Sequence, residues 1–75
     1  KADIVVANII ADVVIGLSEH VPKYLKAGGL LLVSGIIKER KEDVKSTYTA
    51  LGFQLTDEDE IGEWVAIVFK CPDFL

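Results

Sequence analysis

Two stretches constrain the fold more than any others: Ile4-Val5-Val6-Ala7 and Leu30-Leu31-Leu32-Val33-Ser34, the first apolar at every position and rich in branched side chains, the second apolar up to its final serine. A strand with one wet face alternates apolar and polar residues, whereas a strand covered on both faces of a parallel sheet does not. These runs therefore predict two strands buried on both faces. Parallel neighbours need a crossover of a dozen or more residues, most often a helix. Residues 8–29 meet that need: Val14, Leu17, Val21 and Leu25 recur at helical spacing, and Asp12 stands where an N-cap carboxylate would. Pro22, with no N–H and a ring that crowds the previous turn, should kink this helix or restart it as a short one running to about Lys26. Gly28 and Gly29 then stop it, one of them in the left-handed conformation. Strand, helix, strand reads as a right-handed crossover.

The remainder supplies a second helix and a hairpin. From Lys38 to Leu51 the sequence is charged outside, with Val44, Tyr48 and Leu51 as an inner stripe and Gly52 as a stop. In "FQLTDEDEIGEWVAIVFK", Phe53 and Leu55 alternate with polar neighbours, Asp57 to Glu60 form an acidic turn, and Trp64 to Phe69 make an interior strand. The expected class is α/β: two parallel strands with a crossover helix, a second helix, then an antiparallel hairpin at the sheet edge. There are no internal repeats and no linker.

Seventy-five residues allow one domain at most, and 51% hydrophobic content places the chain among globular sequences. The net charge of −4, with Lys and Arg scattered, offers no stripe for phosphates, so direct binding of nucleic acid or an anionic membrane is not expected. Cys71, the only cysteine, has no mate for a disulfide and fits a reducing cytoplasm. The longest apolar stretch, "GGLLLVSGII", is too short to span a bilayer. A chain that opens at Lys1, without methionine, and enters a strand at once is expected to be a piece of a longer protein.

Most motifs have ordinary readings. Gly28-Gly29 is better explained as a helix stop than as a phosphate cradle. His20 beside Glu19 reads as a surface residue rather than a ligand or base. The four carboxylates from Asp57 to Glu60 read as solvated rather than as a cation site. Trp64, set in an apolar alternation, reads as core rather than as a stacking platform. "KERKED" reads as a solvated helix face.

Asn8 is different. It ends the first strand on its carboxyl side, where open α/β sheets bind ligands, and a buried amide must find a partner. Either it ties down the next turn or it meets a ligand. On position alone the two readings are even.

Three blocks resolve the choice. "DIVVANIIAD", "LKAGGLLLVSGII" and "GEWVAIVF" together resemble the carboxyl-terminal half of the S-adenosylmethionine-dependent methyltransferase fold. Within it the chain looks like the PrmA family, which methylates large-subunit ribosomal protein eleven. The family pattern runs Asn, two aliphatics, Ala, Asp, here Asn8, Ile9, Ile10, Ala11, Asp12; it continues as Leu25-Lys26-Ala27-Gly28-Gly29, Ser34-Gly35-Ile36 and Glu63-Trp64-Val65-Ala66. The departures are Ala27 in place of a usual proline and Val13 where a helix-starting proline is common.

The resemblance implies a partial Rossmann-like methyltransferase sheet, with residues 1–75 as the downstream half of a catalytic domain. It implies S-adenosylmethionine as cofactor, with Asn8 among its contacts, and a cytoplasmic enzyme that methylates lysine and N-terminal amines of the ribosomal protein. It also implies that the Asn8 carboxamide and the Ile9 backbone carbonyl orient the target amine. The alternatives are a related nucleobase or glutamine N-methyltransferase, whose families show two prolines and an aromatic where this chain has Ile9-Ile10-Ala11, and an inactive fragment acting as an interaction module. With the upstream half of the sheet missing, the strand Ile4–Ala7 has an unpaired edge, and self-association is expected.

Overall fold

The computed structural model describes residues 1–8 and 10–73. The first apolar run forms β1 (Ala2–Asn8), and the second lies within the longer β2 (Leu25–Ile37). The two pair in parallel, Ile4 beside Leu30 and Asn8 beside Ser34. Between them run α1 (Ala11–Leu17) and a short 3₁₀ turn at Val21–Lys23, so Pro22 restarts the helix as expected. A second 3₁₀ turn, Lys38–Arg40, leads into α2 (Lys41–Ala50), and β3 (Gln54–Ile61) and β4 (Trp64–Lys70) close the chain as an antiparallel hairpin. The sheet order is β1-β2-β4-β3, which makes β4 an interior strand.

Both helices cover one face of this sheet. Val14 of α1 and Val44 and Tyr48 of α2 pack on Leu31, Val33 and Ile36 of β2 and on Val65, Ile67 and Phe69 of β4, all of them buried. Tyr48 stacks on Phe69 at 5.0 Å and meets Phe53 edge-on at 5.3 Å. Its hydroxyl donates to the Val14 carbonyl at 2.8 Å, fixing α2 to α1.

The other face is open, and here the first expectation fails. Ile4 is 61% exposed and Val6 62%, while Val5 and Ala7 on the helix side are half-buried. A run that is apolar on both faces predicts two covers, but the described residues supply one.

Four local readings also change. The N-cap of α1 is Ile10; Asp12 lies in the first turn, where its charge still complements the helix dipole. Leu17 is exposed and Leu25 opens β2, so the apolar stripe ends with the short helix. Gly28 does take the left-handed conformation, φ 77, but it lies inside β2 with Gly29. Gly28 donates to the Cys71 carbonyl at 2.9 Å and Cys71 donates to that of Gly29 at 2.8 Å, so the pair ties β2 to the chain after β4. The acidic residues 57–60 lie within β3, and the hairpin turns at Gly62-Glu63 instead.

Charge pairing explains why four successive carboxylates tolerate a strand. Glu58 and Glu60 point to the helix side, where Lys45 reaches Glu58 at 2.9 Å and Lys41 reaches Glu60 at 2.8 Å. Those bonds hold both carboxyls below their ordinary range, Glu58 chiefly through Lys45 and Glu60 chiefly through Lys41. "KERKED" is therefore a clamp on β3 as well as a wet surface. No helix among the described residues is long and apolar enough to cross a membrane.

Candidate functional site

β1 ends on Asn8 because the parallel ladder ends there: its last pair is Asn8 with Ser34. One residue on, Gly35 leaves regular strand geometry at φ 77, and β2 shifts register against β4 between Val33 and Ile36. This bulge opens the sheet at the carboxyl end of β1. A β-carbon on Gly35 would lie 2.5 Å from the Asn8 Oδ1, so the carboxamide rests on a surface that only glycine provides.

No hydrogen bond holds the Asn8 side chain among the described residues. Among the described residues it makes no capping bond to α1; it is exposed and borders a depression shared with Ile10, Gly35 and Trp64. Ile9, whose carbonyl the sequence reading names as second acceptor, lies outside the described residues.

The depression continues into a cleft of about 230 Å³ walled by Ile10, Gly35, Ile37 and Trp64, with Asp12 and Arg40 at its rim. Trp64 is 53% exposed and is not core, contrary to the sequence reading. Its neighbour Val65 faces the helices, so the alternation of β4 turns Trp64 to the open face, beside Ile37 on β2 and Ile61 on β3. That alternation with Val65, Ile67 and Phe69 was the signal available in the sequence.

The rim is electrically closed. Arg40 donates to the Asp12 carboxylate at 2.7 Å and to that of Asp43 at 2.9 Å, and both bonds, that to Asp12 first, push the guanidinium pKa upward. The one carboxylate lining the cleft is thus already paired. His20 is exposed and lies apart, lining a small apolar hollow with Leu17, Val21 and Tyr24.

Comparison with known proteins gives this site its family. Residues 1–72 match the family described as ribosomal protein L11 methyltransferase (PrmA). The chain belongs to the PrmA family. It is 55% identical over all 75 residues to the ribosomal protein L11 methyltransferase of Ruminiclostridium cellulolyticum and, at the same identity and coverage, to that of Acetivibrio thermocellus. It is 59% identical over 70 residues, 93% of the chain, to that of Thermoanaerobacter pseudethanolicus, where the match covers 22% of the relative. The chain spans 24% of the length of the first two relatives.

Two solved structures share its fold. A ribosomal protein L11 methylase from Lactobacillus delbrueckii subsp. bulgaricus superposes with a TM-score of 0.88 at 23% identity, over 93% of this chain and 36% of the other. The Methanococcus jannaschii fibrillarin pre-rRNA processing protein gives 0.82 at 20% identity, over 99% and 38%. At these identities the likeness establishes the fold, the α/β methyltransferase sheet that the sequence predicts.

All the blocks that carry the PrmA resemblance lie inside the matched span, and folding separates their roles. Asn8, Gly35 and Trp64 converge on one cleft, whereas Gly28-Gly29 stays at the opposite end of β2. Arg40 and the role of Gly35 were invisible in the sequence, because each acts through a residue distant along the chain.

Proposed function

We propose that this chain is the amine-positioning part of a cytoplasmic, S-adenosylmethionine-dependent protein methyltransferase that acts on amino groups of ribosomal protein L11, and that it is the downstream half of the catalytic domain. One observation carries the reading: the Asn8 carboxamide, without a hydrogen-bond partner among the described residues, set on Gly35 at the carboxyl end of β1, beside an apolar cleft. The names of the relatives support the substrate, and they leave the nucleobase and glutamine alternatives without support.

The site suits the cofactor as far as it goes. Asn8 ends a strand at the place where such sheets take ligands, and it keeps free acceptor and donor capacity among the described residues. When bound, S-adenosylmethionine supplies a methyl group on a sulfonium, the electrophile of an in-line displacement. What the chain itself does is prepare the amine.

A lysine amine has a reference pKa near 10.4, and making it neutral at pH 7 costs about 4 to 5 kcal/mol. A free carboxylate beside it would raise that cost by stabilising the cation. Here Asp12 is held by Arg40, and the polar side chain bordering the adjoining depression is the neutral Asn8 carboxamide, whose oxygen is the acceptor. That oxygen accepts one N–H and aims the nitrogen lone pair, while Ile10 and Ile37 give the cleft an apolar wall.

The test is a chimera in which this chain replaces the matching segment of the Acetivibrio thermocellus relative, assayed for methyl transfer to ribosomal protein L11. Asn8→Ala should lower kcat about a hundredfold, the scale expected when a reacting group loses its alignment, and leave the melting temperature nearly unchanged. Unchanged turnover overturns the assignment.

A further inference from the structure

The charged segment "KERKED", residues 38–43, grips more than β3. Its first residue, Lys38, donates its backbone N–H to the Glu63 carbonyl at 3.1 Å, in the hairpin turn beside Trp64. Lys41 reaches Glu60 at 2.8 Å. Arg40 instead crosses to α1, where its Nη1 lies 2.7 Å from the carboxylate of Asp12 in the first helical turn. The segment therefore joins the two walls of the cleft, fixed beside Trp64 at one end and beside Ile10 at the other.

Resting on the proposed function, we propose that Arg40 is a positioning residue for methyl transfer: through Asp12 it holds the start of α1, and with it the Ile10 wall, in register with Asn8. Three observations converge. The start of α1 has little else to fix it, because its N-cap, Ile10, makes no side-chain cap and the Asn8 side chain has no hydrogen-bond partner among the described residues. The Tyr48 bond to the Val14 carbonyl ties α1 to α2 further along the helix and leaves the first turn to Arg40. The residue type also suits the task. The planar guanidinium meets two carboxylates through separate nitrogens, Nη1 to Asp12 and Nε to Asp43 at 2.9 Å, so α2 sets its direction before it reaches α1.

The third observation is spacing. Asp12 follows Ile10 by two residues and Asn8 by four, so a displaced first turn carries the cleft wall away from the acceptor. With side chains 33% and 74% exposed, the Arg40–Asp12 pair adds little to stability. Its effect falls on rate, because a shift of about 1 Å that folding hardly registers can cost an aligned reaction about a hundredfold. Arg40 touches no reacting atom in this scheme; it acts through Asp12.

Two measurements test this. In the chimera with the Acetivibrio thermocellus relative, Arg40→Gln and Asp12→Asn should each lower kcat about three- to tenfold, between the worth of an exposed ion pair and the cost of full misalignment. KM for ribosomal protein L11 should stay within about twofold, and the double variant should be no slower than either single one, since both remove the same contact. Asp3→Asn, which breaks the pair with Lys26 at the other end of β1, should leave kcat unchanged. In the 75-residue chain, Arg40→Gln should shift the NMR signals of the Asn8 side-chain amide and the Ile10 methyl groups, Asp12→Asn should shift the Asn8 amide in the same direction, and Asp3→Asn should move neither. Unchanged kcat in Arg40→Gln where Asn8→Ala lowers it, additive losses in the double variant, a loss confined to KM, or an unmoved Asn8 signal overturns the proposal. An inactive native chimera counts against the proposed function alone, and the NMR comparison, which needs no turnover, then decides whether Arg40 sets the register.

Discussion

The Asn8 carboxamide oxygen lies 2.5 Å from the position a β-carbon on Gly35 would occupy, across the last rung of the β1–β2 ladder. Gly35→Ala must therefore displace the amide as well as strain a backbone at φ 77, a conformation that costs a residue with a side chain about 1 to 2 kcal/mol. The expected loss is about 1 to 3 kcal/mol in urea unfolding, with a shift of the Asn8 side-chain amide resonances. In the Asn8→Ala background the steric part disappears and only the backbone strain remains. A double-mutant cycle that proves additive would show that the two side chains do not compete for this space.

Tyr48 joins the helices through its bond to the Val14 carbonyl at 2.8 Å. Tyr48→Phe keeps the stacking on Phe69 but strands that carbonyl in the core, and should cost about 1 to 3 kcal/mol. Burial also pushes the phenol pKa from 10.0 up to about 12. An acid whose folded pKa is raised stabilises the fold fully below its unfolded pKa, so this contribution is lost as pH rises from 10 towards about 12. Thermal melts across that range should fall more steeply for the native chain than for Tyr48→Phe, although Lys41 and Lys45, whose pKa values are also raised, add to the loss in both.

The acid limb rests on other groups. Lys45 first, then Lys41, holds the Glu58 carboxyl below the ordinary glutamate value of 4.5, and Lys41 does the same for Glu60. A depressed folded pKa means stability that is present above the unfolded value and is lost as pH falls through 4.5 and below. Glu58→Gln should flatten the melting temperature between pH 5 and pH 3, on the order of one ionisable group, and added salt should shrink the difference because the network is on the surface. A profile identical to that of the native chain would mean the pairs between α2 and β3 contribute nothing measurable.

What could be read from the sequence followed the range of the interactions involved. Ile4–Ala7 and Leu30–Ser34 declared themselves as parallel strands because branched side chains in unbroken runs are a local signal, and Pro22 and Gly52 punctuate the helices by backbone sterics alone. Residues 57–60 read as a turn because carboxylates disfavour strands; pairing with β4 and the lysines of α2, thirteen or more positions away, overrode that preference. Asn8 was legible from its place at a strand end. Its seat on Gly35, the capture of Asp12 by Arg40 and the exposure of Trp64 all depend on contacts between segments that the linear pattern does not join.

The two edges of the sheet differ in how they meet water. β3 carries Asp57, Glu58, Asp59 and Glu60 along its length, and such charge is a standard guard against edge-to-edge pairing. β1, the other edge, has Asp3 as its only charged residue, paired with Lys26 at 3.3 Å, and presents Ile4 and Val6 on the open face. Leu30 and Leu32, their partners on β2, continue this apolar surface across the strand. Pairing of β1 with a second copy of itself would satisfy the free backbone groups and cover part of that face at once. Sedimentation and light scattering of the chain should therefore show self-association that strengthens with concentration. Val6→Lys, which places a charge on the open face of the unguarded edge and leaves the helix-side core untouched, should shift the chain towards monomer, whereas Asp59→Lys on β3 should leave the β1 contact intact. A native chain that remains a monodisperse monomer across the concentration range, or a Val6→Lys variant that associates as strongly as the native one, would place the association elsewhere or deny it.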